Sequence, residues 1–132
     1  MYLSAAINAL FSPNIHVSAG SAEVSITVRP ELFHAAAAVH GAVYFKLMDD
    51  AAFFAASSLV SDVFLLTASF QVYFLRPVSS GILTSRGRVV HTSQRLIIAE
   101  STVTDEEQRE VGRGSGAFLR SRTMLSDVAG YR

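Results

Sequence analysis

The 132-residue sequence contains no cysteine, which excludes disulfides, thiolate metal sites and a cysteine nucleophile. Charge is scarce as well: Asp, Glu, Lys and Arg make up 17%, against about 25% in an average soluble domain. The acids and bases cancel to a net charge of +0, so nothing favours nucleic acid or an anionic membrane surface as a partner. The apolar start Met1–Phe11 lacks the basic segment and cleavage-type tail of a signal peptide, and a cytoplasmic protein is expected. Long apolar runs are missing too. The longest, Val43–Val60, is interrupted by Lys46, Asp49 and Asp50 and is not a membrane span.

What is plentiful is apolar: hydrophobic residues reach 50%, which suggests that a second subunit covers part of the surface. By size the chain reads as one domain, 1–132, large enough to bury about two-thirds of its unfolded surface in a single core.

Hydrophobic spacing divides the chain. Tyr2–Phe11 places Leu3, Ile7, Leu10 and Phe11 at helical intervals, and Ser12-Pro13-Asn14 ends the pattern, so a short N-terminal helix packed on the body is expected. Ser21–Arg29 alternates Ala22, Val24, Ile26 and Val28 with polar residues and closes at Pro30, a half-buried strand. Glu31–Val39, with His34 and the alanines 35–38, reads as a connecting loop that approaches something closely. The apolar stretch His40–Val60 predicts a long central helix.

Strands then follow at Phe64–Arg76, Ile82–His91, Arg95–Thr104 and Glu110–Arg120, separated by Pro77 with Ser79-Ser80-Gly81, by Thr92-Ser93-Gln94 and by Asp105–Gln108. Links this short predict a meander of four antiparallel neighbours. Gly112, Gly114 and Gly116 alternate in the last strand, where missing side chains permit a bulge or the close approach of another backbone or a ligand. Arg122–Arg132 shows no pattern and reads as a loose tail. The whole is an α+β layer, a sheet that must cover one helix apolar nearly all round.

An apolar helix has no structural need for two acids, and burying an unpaired one costs several kcal/mol or keeps it protonated. At about 100° per residue, Asp50 lies one turn from Lys46, and this (i, i+4) pair accounts for it. Asp49 faces Ala42, Phe45, Ala52, Phe53 and Ala56, with Lys46 at the margin. Such a carboxylate is either a base or nucleophile with a raised pKa or the partner of an arginine from another strand. If the helix begins at or just after Gly41, its first N–H groups are unpaired at the positive end of the dipole, suited to a carbonyl oxygen developing negative charge.

Taken in order, His40-Gly41-Ala42, an acid nine residues after the histidine at Asp49, Thr67-Ala68-Ser69, Tyr73-Phe74-Leu75-Arg76-Pro77, Gly87-Arg88-Val89-Val90-His91 and Gly114-Ser115-Gly116-Ala117-Phe118 resemble the hotdog-fold thioesterases of the phenylacetate-pathway (PaaI) type. The resemblance runs from the first strand to Phe118. It implies a five- or six-stranded antiparallel sheet wrapped about the central helix, dimers joined edge to edge that often pair into tetramers, and hydrolysis of an acyl-CoA thioester with no metal and no cofactor, CoA being part of the substrate.

Carried over by position, the resemblance implies that His40 and Gly41 form the oxyanion region of one subunit, while Asp49 and Thr67 come across the dimer interface. Gly41 N–H would hold the thioester carbonyl, Asp49 would act as general base or nucleophile, Thr67 would orient the water or the carboxylate, and His40 would fix the loop and substrate. Ala42 stands at the second glycine of the HGG motif. His34 stands where many members have an asparagine, six residues ahead of the histidine, and Ala37 where glycine is common. His34 is thus a candidate stand-in for the asparagine. Arg76, Arg88 and Arg95 are candidates for the CoA phosphates.

The expected activity is hydrolysis of a medium-chain or aromatic acyl-CoA. Two alternatives stand beside it: a hotdog enoyl-CoA hydratase or dehydratase, and a non-catalytic acyl-CoA binding or sensing module.

Overall fold

The computed structural model describes residues 2–128. Six strands, β1 (Asn14–Ser18), β2 (Ser21–Thr27), β3 (Val63–Phe74), β4 (Ile82–Thr92), β5 (Leu96–Thr104) and β6 (Glu110–Met124), surround one α-helix, α1 (Gly41–Ser57). They form a single sheet in the order β1-β2-β4-β5-β6-β3, every neighbouring pair antiparallel. One helix held in the curve of six strands is the hotdog arrangement that the resemblance implies.

The strand patterns explain which face is inside. On β5 every second residue, Ile97, Ala99, Ser101 and Val103, is buried towards α1, and Ala22, Val24 and Ile26 do the same on β2. The helix answers with Val43, Tyr44, Leu47, Met48, Ala51, Ala52, Ala55 and Ala56. Full burial of a side chain the size of Leu47 or Met48 is worth about 1.5–3 kcal/mol. Alanines let the helix come down close, and at Gly87 on β4 the approach is complete: a Cβ there would lie 2.4 Å from the Ala51 carbonyl oxygen. Ser101 Oγ donates to the Met48 carbonyl at 2.9 Å, tying the same middle turn to β5. At the helix entrance Ala42 N–H donates to His40 Nδ1 at 2.9 Å, so His40 is the N-cap.

Three expectations need correction. The meander is real for β4, β5 and β6, but β3 pairs with β6 and not with β4. The segment 75–81 is therefore a crossing: it passes the helix entrance, where Val39 N–H bonds the Val78 carbonyl at 2.8 Å, and delivers β4 to β2 at the other side of the sheet. Asn14–Ser18 is an extra strand, hairpinned to β2 through Gly20 at φ +79°; five residues beside a proline are too few to show a period. The N-terminal segment forms only a 3-10 turn, Ala6–Ala9, with Leu3, Ile7 and Leu10 exposed while Tyr2 and Phe11 pack against the core.

The expected loose tail is also partly structured. β6 continues to Met124, Leu125 is buried and its N–H bonds the Asp62 carbonyl at 3.0 Å; the rest of that stretch, 129–132, lies outside the described residues. What comes close at Gly114 and Gly116 is a side chain of the neighbouring strand, Phe70, whose ring lies 2.5 Å from where a Cβ on either glycine would stand.

Candidate active site

The two neighbouring acids of α1 have different surroundings. Asp50 Oδ2 receives Lys46 Nζ at 2.5 Å and the Tyr2 hydroxyl at 2.7 Å. The lysine pair is as its spacing predicts; the tyrosine comes from 48 positions away and left no signal in the sequence. Asp49 makes no ion pair among the described residues, so the arginine reading is not what the fold supplies. Its Oδ1 accepts from Thr67 Oγ1 at 2.8 Å.

Burial pushes the Asp49 carboxyl above the usual carboxylate range; the Thr67 hydroxyl draws it back, the Asp50 charge adds to the rise, and Lys46 opposes it. An acid so placed ionises later than a surface carboxylate and is a stronger base once it has.

Thr67 reaches the helix because of a bulge. Phe70 and Val72 pack against the core opposite Gly116 and Gly114, and unbroken alternation from them would turn Thr67 outwards. The register shifts between Thr67 and Ser69, which pair with Phe118 and Ala117, leaving Ala68 as the extra residue. That one insertion turns Thr67 and Leu65 in and Leu66 out, and re-aiming a side chain is a common result of a bulge.

Asp49 lines a largely apolar hollow of about 540 Å3 between α1, Phe64 and the N-terminal segment, with Phe53 and Phe54 also in its wall. Gly41 is elsewhere. It opens α1 and borders a smaller cleft of about 280 Å3 with His34, Tyr44, Phe74 and Arg76. Its N–H has no acceptor among the described residues, as a first helical residue requires. Phe74 covers it, 3.0 Å from where a Cβ would be. His40 and His34 approach edge to face, ring centroids 6.4 Å apart. Each uses Nδ1 to accept a local backbone N–H, from Ala42 and Ala36 respectively, which leaves Nε2 without a partner among the described residues. The loop turns back at Ala37, φ +61°.

The structure therefore brings together Asp49 with Thr67, and separately Gly41, His40, His34 and Arg76. Eight residues of helix separate Asp49 from Gly41, about 12 Å along the axis, so no single carbonyl can touch both in one chain. Arg88 lies on the outer sheet face, paired with Glu100 at 3.5 Å, and Arg95 is exposed in the β4–β5 turn; neither borders the Asp49 hollow or the Gly41 cleft within the chain. Among the described residues no group of three or more His, Cys, Asp or Glu is placed to hold a metal ion, and no helix is long and apolar enough to cross a membrane.

A helix in a six-stranded antiparallel wrap is matched by known proteins. Residues 37–112 match the family described as the Thioesterase superfamily, and the chain belongs to it. A Mycobacterium tuberculosis protein named "Putative esterase Rv1847" is 28% identical over 97 residues, spanning 70% of this chain and 69% of the relative. Among solved structures, the E. coli PaaI protein from the phenylacetic acid degradation operon superposes with a TM-score of 0.86 at 23% identity, covering 94% of this chain and 90% of that one. The conserved protein PA5202 from Pseudomonas aeruginosa gives a TM-score of 0.82 at 26% identity, over 90% and 96% of the two chains.

Proposed function

We propose that the protein hydrolyses acyl-CoA thioesters, of a medium-chain or aromatic acyl group as in the PaaI type, in sites completed by two copies of the chain. The observation that carries this reading is the contrast within α1: Asp50 is neutralised by Lys46 while Asp49, one residue before it, is held among the described residues by a hydroxyl, on the wall of an apolar hollow.

The chemistry follows. With Asp49 as general base, its carboxylate takes a proton from water as the water oxygen bonds to the thioester carbon. The carbonyl oxygen gains the negative charge and is held by the free N–H of Gly41. Collapse of the tetrahedral intermediate expels CoA as thiolate, which takes up the proton that Asp49 holds, leaving a free acid. With Asp49 as nucleophile, the carboxylate itself adds to the carbon, CoA leaves, and water then cleaves the resulting anhydride. Hydrolysis in 18O-water under single turnover tests the second route: label in the Asp49 carboxylate arises only from an anhydride that water opens at the Asp49 carbon.

The 12 Å separation requires Gly41 to come from a second copy, with His40 fixing its loop, His34 offering Nε2 in the asparagine's place, and Arg76 at the cleft mouth for a CoA phosphate. The exposed edge of β3, carrying Tyr73 and Phe74, is where that copy would pair. The protein is then a dimer or tetramer. Asp49→Ala and Asp49→Asn are expected to keep the fold, by circular dichroism, and to lower thiol release from acyl-CoA by at least about a hundredfold. Wild-type rates in either variant would remove Asp49 from the mechanism.

A further inference from the structure

The N-terminal segment is built the wrong way round for a piece of ordinary core cover. Tyr2 and Phe11 pack against the core, but Leu3 and Leu10 are 62% and 65% exposed, and the hollow beside Asp49 is bordered by the small Ala5 and Ala6 together with Ile7, itself 55% exposed. Protein interiors are packed to about the density of organic crystals. A segment whose role was to seal the core would turn its leucines in and fill that volume. This one spans the hollow and leaves it open.

The segment is also pinned by a device costlier than cover requires. The Tyr2 hydroxyl donates to Asp50 at 2.7 Å, Lys46 bonds the same carboxylate oxygen at 2.5 Å, and the Lys46 and Asp50 side chains are only 14% and 16% exposed. Lys46 Nζ sits 5.4 Å from the Tyr2 ring centroid and 5.2 Å from that of Phe11. Tyr2 meets Phe54 edge to face at 4.9 Å, and Asn8, itself buried, donates Nδ2 to the Tyr2 carbonyl at 2.7 Å. A mostly buried ion pair contributes little net stability but fixes geometry when its remaining valences are used, and here they are used on Tyr2. Burial and the neighbouring Asp50 charge hold the Tyr2 phenol protonated, so it remains a donor.

We infer that Tyr2, latched to Asp50 and Lys46, is the end wall of the acyl pocket that starts at Asp49, and that the N-terminal segment sets the longest acyl chain the protein accepts. The inference rests on the thioesterase reading for its substrate, and it adds a specificity determinant outside the matched family region 37–112. Removing the wall lengthens the pocket towards solvent. Adding bulk to the segment from the Ala6 side shortens it.

The test uses full-length protein and two ladders of matched chain length, from butyl to hexadecyl: S-alkyl-CoA thioethers, which cannot be hydrolysed, for affinity by calorimetry, and acyl-CoA thioesters for turnover. Tyr2→Ala is expected to move the chain length of tightest thioether binding longer and to raise the long-to-short affinity ratio at least about tenfold, the gain from burying two more methylenes. Tyr2→Phe keeps the ring and loses only the latch, and is expected to move the profile in the same direction by less. Ala6→Phe moves it the opposite way, so a profile shift cannot be ascribed to general loosening. Unchanged profiles in Tyr2→Ala and Ala6→Phe, shifts in the same direction, or no thioether binding by the wild type overturn the end wall. Wild-type thioether binding whose profile moves as expected, with no thioester turned over, leaves the wall standing and removes the hydrolase reading instead.

Discussion

Asp49 carries opposed demands in one carboxyl group. Its folded-state pKa is raised by burial, so folding favours the protonated form. The stability it lends is fully present below the usual carboxylate pKa of about 4 and is lost as pH rises through the raised folded value. Activity runs the other way, because a base or nucleophile must be ionised. Thioester hydrolysis is therefore expected to fail, on lowering pH, at a higher pH than an ordinary carboxylate would give. Asp49→Asn keeps an acceptor for Thr67 and abolishes the charge. In thermal scans it is expected to melt above the wild type at neutral pH, with the gap closing towards pH 4 and below; a variant that melts below the wild type at neutral pH contradicts the assigned cost. The difference between Asp49 and Asp50 was legible in the sequence because both partners of Asp50's ion pair lie on one helix, where spacing alone fixes neighbours. Tyr2 was not legible: nothing local in a chain marks a contact made across 48 positions.

At the scale of elements, the two ends of the proposed chemistry depend on a helix start and on a strand irregularity. The helix start was readable, since a histidine and glycine before an apolar run mark a boundary, and α1 does begin at Gly41. It also allows a sharp probe. Proline is favoured at the first helical position, and His40 already has the extended backbone, φ −64° and ψ 142°, that a following proline requires. Gly41→Pro thus removes the candidate oxyanion donor with little change to the helix, the exposed Phe74 ring being the group that must yield. Hydrolysis is expected to fall about a hundredfold or more with helical circular dichroism retained; unchanged turnover would assign the oxyanion to another donor. The strand irregularity could not be read. Leu65 and Leu66 are adjacent and equally apolar, so a pairing that buries either one satisfies the hydrophobic pattern, and only pairing with β6 decides for Leu65, at 1% exposed, and turns Thr67 to Asp49.

The topology of the whole molecule was half legible. Hairpin links give β4, β5 and β6 directly, whereas the partner of β3 depends on a crossing that short turns of serine and glycine do not distinguish from a hairpin. That crossing places β3 at an edge, leaving one side of a 12-residue strand unpaired. If sites form between copies, damage to Asp49 and damage to Gly41 are complementary. Mixing Asp49→Ala with Gly41→Pro subunits, after unfolding and refolding together, is expected to restore activity in mixed pairs, each with one intact site, to about a quarter of the wild-type level for random pairing of equal amounts of a dimer. Refolded mixtures no more active than the separate variants would overturn the shared site. The contact at Gly87 has a further effect on how such a protein can change over time. Because the helix rests there on the sheet backbone, two residues from Asp49, its height is a hard stop and not an average over side-chain sizes. The core to either side is then free to drift in composition, gaining or losing stability, while the turn of helix that carries the acid keeps its height above β4.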